Sequence, residues 1–144
     1  MCYALLLSTT SSDDLSQFNG EAIKFNKAIP VRLKFDHLLY PNSWYVGSRT
    51  GCSCSFRHLY GPEFEFSVPE DWFPEDKADI EATLVLIRLV RSLIAKGESV
   101  DCIDLWEGHD AEHRPPISMN INLGQIRDEE FRFFENHHFD FISE

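Results

Sequence analysis

The chain has 144 residues and a formal net charge of −11, with 43% hydrophobic and 13% aromatic residues. Such a chain holds enough apolar material for a core, which excludes disordered, collagen-like and coiled-coil readings and points to one globular domain over residues 1–144. The charge is uneven: residues 1–60 carry six basic against four acidic groups, a net +2, and residues 61–144 seven against twenty, a net −13. With no Lys/Arg-rich run, such a surface is repelled by phosphate, so neither nucleic acid nor an anionic membrane is expected as a partner.

Residues 3–8 form a short apolar run that reads as a buried strand. The run is too short for a signal peptide's hydrophobic segment, and no Lys or Arg precedes it. No stretch of about 18 apolar residues spans a bilayer. The expected address is therefore the cytoplasm, where Cys2, Cys52, Cys54 and Cys102 are thiols rather than a disulfide framework. After the first strand, Ser11 or Ser12 offers an N-cap for a short helix through Leu15 and Phe18 that closes at Gly20. Strands are expected at 22–26 and at 31–35, where Val31, Leu33 and Phe35 alternate with Arg32 and Lys34.

Residues 43–59 read as a hairpin, with strand Ser43 to Val46, a turn from Gly47 to Gly51, and a return strand through Cys52, Cys54, Phe56 and His58. Phe64, Phe66 and Val68 alternate in a further strand. Next, Pro74 introduces the clearest element, a helix over about 75–96 that ends at Gly97. Its apolar stripe of Ile80, Leu84, Ile87 and Ile94, widened by Leu86, Leu89, Val90 and Leu93, is broad enough to lie across a sheet. Trp72-Phe73-Pro74 seats its start. Strands at 100–106 and 117–123, a helix at 127–136 and a strand at 138–142 complete an α+β fold. The expected architecture is a two-layer sandwich of a mostly antiparallel sheet and one long helix. Phe131, Phe133, Phe134, Phe139 and Phe141 supply core, with Phe133 or Phe134 left to face outward.

The densest chemistry is Gly51-Cys52-Ser53-Cys54-Ser55-Phe56-Arg57-His58. Two thiols and an imidazole suit a zinc site with Cys52, Cys54 and His58 as ligands. The same residues suit a thiol enzyme, with Cys54 as nucleophile, His58 as its base and Arg57 as an anion contact. In a regular strand, however, Cys54 and His58 stand roughly 13 Å apart, too far to share a metal. A strand also places the Cα atoms of Cys52 and Cys54 near the limit for a disulfide. There Cys52, Cys54 and Phe56 face the core while Ser53, Ser55 and Arg57 face water. The functional readings require a loop or bulge at 51–55.

Arg49, Arg57 and His58 form a basic patch suited to a small anionic ligand, with the turn at Gly47 to Gly51 as its cradle. Residues 109–113, His-Asp-Ala-Glu-His, satisfy the short His-x-x-Glu-His pattern of the inverzincin metallopeptidases. Between Gly108 and Pro115-Pro116, though, at most about one and a half helical turns can form, so the run reads as a polar loop and no role is carried over. His137-His138 reads as a solvated helix end. The default function is an interaction or ligand-binding module whose acidic stretch Glu63 to Glu81 meets a basic protein partner. The alternative is thiol or metal chemistry centred on residues 47–58.

Overall fold

The computed structural model describes residues 3–28, 38–49, 51–59, 66, 68, 75–106 and 116–142. Cys2, the strand expected at 31–35, Trp72-Phe73-Pro74, the His109–His113 run and most of the segment from Glu63 to Pro74 lie outside them.

The described chain forms strands β1 (Tyr3–Thr9), β2 (Ile23–Asn26), β3 (Asn42–Ser48) and β4 (His58–Leu59), then helix α1 (Lys77–Ala95). Strands β5 (Val100–Trp106), β6 (Ile117–Asn122), β7 (Phe133–Phe134) and β8 (His137–Ile142) follow. Six strands make one sheet in the order β2-β3-β1-β5-β8-β6, and β4 pairs with β7 in a two-stranded sheet. Within the large sheet every pairing is antiparallel except β6 with β8. The architecture is thus α+β, a mostly antiparallel sheet with one main helix. No described helix is long and apolar enough to cross a membrane.

Period-2 alternation gives the sheet two different faces. Leu5, Leu7, Trp44, Val46, Val100, Cys102, Phe139 and Phe141 join Leu86, Ile87, Val90 and Leu93 of α1 in the main core. On the opposite face Ala4, Leu6, Ile103 and Leu105 form a smaller cluster, partly covered by Leu38 and Tyr45. Helix α1 begins where the Asp76 carboxylate caps the Ala78 N–H, and it stops at Gly97, whose φ of +89° suits glycine. Its buried face is Ala82, Thr83, Leu86, Ile87, Val90 and Leu93. That stripe is rotated from the expected one, since Ile80 and Leu84 are only half-buried.

Three expectations are corrected. The first helix shrinks to a 3-10 turn over Leu15–Phe18, capped by Asp14 rather than by Ser11 or Ser12. The helix expected at 127–136 is a 3-10 turn at Asp128–Glu130 followed by β7. Asn136, at φ 58°, then reverses the chain into β8. The extended backbone of β7 lets Phe131, Phe133 and Phe134 all be buried, so neither Phe133 nor Phe134 faces outward. Finally, β3 has no hairpin partner at 52–59. Residues 51–56 are turns and bends, and β4 runs parallel to β7, with His58 opposite Phe133.

Candidate functional site

The turn after β3 is fixed by its own small residues. Ser48 donates from both its N–H and its hydroxyl to the Cys52 carbonyl, at 2.8 and 2.9 Å, and the Gly51 N–H donates to the Ser48 carbonyl at 2.9 Å. Gly51 has φ +82°, a left-handed conformation that other residues adopt at a cost. Gly47 leaves room for the fold-back, because a Cβ there would stand 2.5 Å from the Gly51 carbonyl oxygen.

Ser53 then turns inward and is fully buried. Its hydroxyl accepts the Leu5 N–H at 2.9 Å and donates to the Val46 carbonyl at 2.5 Å, bridging β1 and β3 where these two residues face each other. A buried hydroxyl with both functions satisfied costs little, and it offsets two backbone groups that would otherwise be orphaned. Because Ser53 points in, the cysteines on either side of it are half-buried rather than in the core. Their sulfurs lie 3.1 Å apart, with the Cys52 thiol donating to Cys54. The loop geometry that the functional readings require is therefore present.

Beyond the turn, Phe56 enters the main core and His58 packs between Phe56 and Phe133, ring centroids 6.2 and 6.0 Å away. His58 Nε2 lies 2.7 Å from the Ser53 carbonyl oxygen, which can only accept, so this nitrogen carries a proton. Nδ1 lies 2.7 Å from Oδ2 of the fully buried Asp104, and one further proton is held between them. Burial, the largest influence on His58, opposes its positive charge, but the Asp104 carboxylate and the hydrogen bonds to Asp104 and Ser53 outweigh it and raise the imidazole above its ordinary pKa of 6.5. Asp104 is also raised, by its own burial against the pull of His58. Both directions say that the pair keeps its shared proton. With each ring nitrogen so engaged, His58 has no lone pair to take a thiol proton or ligate a metal. It fixes the backbone between the two cysteines instead.

The other expected site residues are dispersed. Arg57 is buried, at 3% exposure, not solvent-facing. Its Nε and Nη2 fork onto Glu75 at 2.8 Å each, and Nη1 donates to the carbonyls of Glu129 and Phe131 at 2.9 Å. Arg49 stays at the surface, 3.7 Å from Asp79. Arg49, Arg57 and His58 thus face three separate carboxylates rather than forming one basic patch. Among the described residues no three His, Cys, Asp or Glu side chains are grouped to hold a metal ion. Cys102 is fully buried on β5, where burial and the charges of Asp101 and Asp104 raise its thiol well above the ordinary value, so it is inert.

Sequence reasoning missed Asp104 and the inward role of Ser53. The signal for Asp104 was available, since Val100-Asp101-Cys102-Ile103-Asp104-Leu105 puts two carboxylates in an apolar strand, and buried carboxylates need partners. His58 and His138 are those partners, His138 Nε2 lying 2.7 Å from Asp101 Oδ2. His137-His138 is accordingly buried in β8, not a solvated helix end. Comparison with protein-family models, with curated proteins and with solved structures finds no match.

Proposed function

We propose that Cys52 and Cys54 form a dithiol/disulfide redox pair that exchanges with a low-molecular-weight or protein disulfide. The observation that carries this reading is the 3.1 Å separation of the two sulfurs in a half-buried turn. Gly47, Ser48, Ser53 and His58 hold that turn in place. Cys54, the sulfur that accepts the Cys52 thiol proton, is the attacking atom. As the thiolate it displaces R–S⁻ from a partner R–S–S–R, and the leaving thiolate takes up a proton. Cys52 then loses its proton and attacks the Cys54 sulfur of the mixed disulfide, releasing the second RSH. Two electrons pass to the partner disulfide, and the protein keeps a Cys52–Cys54 disulfide.

His58 and Asp104 act here as positioning residues, because the His58 proton on the Ser53 carbonyl keeps the backbone between the cysteines from straightening. Arg57, held by Glu75, shapes the start of α1 against this turn rather than contacting substrate.

The test is equilibration of the protein against a series of glutathione redox buffers, followed by alkylation and mass mapping. The reading expects one two-electron transition confined to Cys52 and Cys54 and abolished in both Cys52→Ser and Cys54→Ser. Continued alkylation of both thiols in the most oxidising buffer would contradict it.

A further inference from the structure

The sheet face away from α1 carries a polar chain that takes no part in the thiol turn. Ser8 and Asp101 are fully buried there, and His138 is 4% exposed. Asp101 accepts the Ser8 hydroxyl proton at Oδ1, and at Oδ2 it accepts the Leu39 N–H at 2.9 Å and His138 Nε2 at 2.7 Å. Ser8 is itself oriented by the Tyr40 N–H, which donates to its oxygen at 3.1 Å and leaves the hydroxyl proton for Asp101. All three groups donate to Asp101, and its oxygens accept. The carboxylate therefore fixes the His138 proton on Nε2 and leaves the lone pair on Nδ1. That lone pair meets the hydroxyl of Ser118 at 3.4 Å. Ser118 is exposed and stands directly opposite His138 in the β6/β8 pair.

A buried acid that orients an imidazole, whose other nitrogen faces an exposed hydroxyl, is the arrangement that activates a serine nucleophile. The 3.4 Å separation suits a site without substrate, where such contacts are long and tighten on binding. We propose that Ser118 is a nucleophile for acyl transfer from activated esters, with His138 as general base and Asp101 as the residue that positions it.

The Ser118 oxygen attacks the ester carbonyl carbon as its proton passes to His138 Nδ1. The bond from that carbon to the leaving oxygen breaks, and the proton moves from Nδ1 to the departing alcohol. Water, deprotonated by the same nitrogen, then cleaves the acyl–Ser118 bond and restores the hydroxyl.

The test treats the protein with a fluorophosphonate probe and with p-nitrophenyl butyrate, and maps the modified peptide by mass. The expected result is an adduct on Ser118 that is lost in Ser118→Ala, an exposed substitution that leaves the buried chain intact. His138→Gln is expected to slow labelling by about 10²- to 10⁴-fold. A folded protein with no adduct on Ser118, or one labelled equally fast in His138→Gln, overturns the proposal. Should His138→Gln fail to fold, Ser118→Cys reads the same base: its thiol is expected to alkylate about tenfold faster than free cysteine at neutral pH. A rate no faster than free cysteine overturns the proposal as well.

Discussion

The imidazole of His58 donates from Nε2 to the backbone carbonyl of Ser53 at 2.7 Å, so the ring nearest the two cysteines in sequence holds the chain between them rather than reaching for either sulfur. Its other nitrogen is backed by Asp104 at 2.7 Å, so the turn is anchored to the middle of the large sheet through a buried pair.

That anchor predicts a pH dependence. The folded pKa of His58 is raised above 6.5, chiefly by Asp104 acting against burial, so the folded state keeps a proton that the unfolded chain sheds above that value. The His58 contribution is fully present below pH 6.5 and declines as pH rises from there through the folded pKa. The limiting slope is about 1.4 kcal/mol per pH unit. Denaturant midpoints taken between pH 6 and pH 9 should fall with pH, and His58→Gln should flatten that fall.

Arg57 is predicted to be a stability residue. Truncating a buried arginine that forks onto Glu75 takes both short bonds from that carboxylate and leaves it the longer 3.6 Å contact to Arg132, so Arg57→Ala should cost about 3 kcal/mol. Glu75→Leu should cost at least as much, because it takes the carboxylate from Arg57 and from the buried Arg132 together. Equilibrium unfolding of the three proteins checks the order.

Gly47 is predicted to be intolerant of a side chain although its role is purely one of space. A Cβ would stand 2.5 Å from the Gly51 oxygen and 2.6 Å from its carbon, both backbone atoms that cannot swing aside. Gly47→Ala should destabilise by about 1–3 kcal/mol. Gly20→Ala, where no atom lies within 4 Å, serves as the control and should be near neutral in a thermal melt.

The cysteines should separate by reactivity. Cys102 is fully buried between two carboxylates along β5, so native protein should leave it unmodified by iodoacetamide. Cys52 and Cys54 should both be modified, as half-buried groups in a turn, and Cys102 should become reactive only on unfolding. Peptide mapping before and after denaturant measures this directly.

The long elements were legible because their patterns are repeated many times. Helix α1 carries its apolar spacing through 19 residues, and β1 is a run of apolar side chains too short for a helix. The turn at 51–56 was not legible. Alternating Cys and Ser satisfies a two-residue period, and polarity alone sends serine out and cysteine in. The structure reverses this because the Ser53 hydroxyl satisfies Leu5 and Val46, and the Leu5 contact spans 48 residues that no local pattern reports. Aromatic spacing in 131–134 suited a helix face equally well, and the left-handed Asn136 decided for a reversal into β8. The same polarity argument sends Arg57 to solvent, whereas its partner Glu75 lies 18 residues further on and draws it inward.

The most direct test of the thiol account is the reaction of native protein with a chromogenic aromatic disulfide, following the released thiolate and the mass of the product together. The account predicts that Cys52 and Cys54 release two equivalents per chain and end joined to each other, with no aromatic group retained on either, whereas Cys52→Ser releases one equivalent from this turn and retains the aromatic group on Cys54. Wild-type protein that carries a stable aromatic adduct on each cysteine, with no link between them, would contradict it.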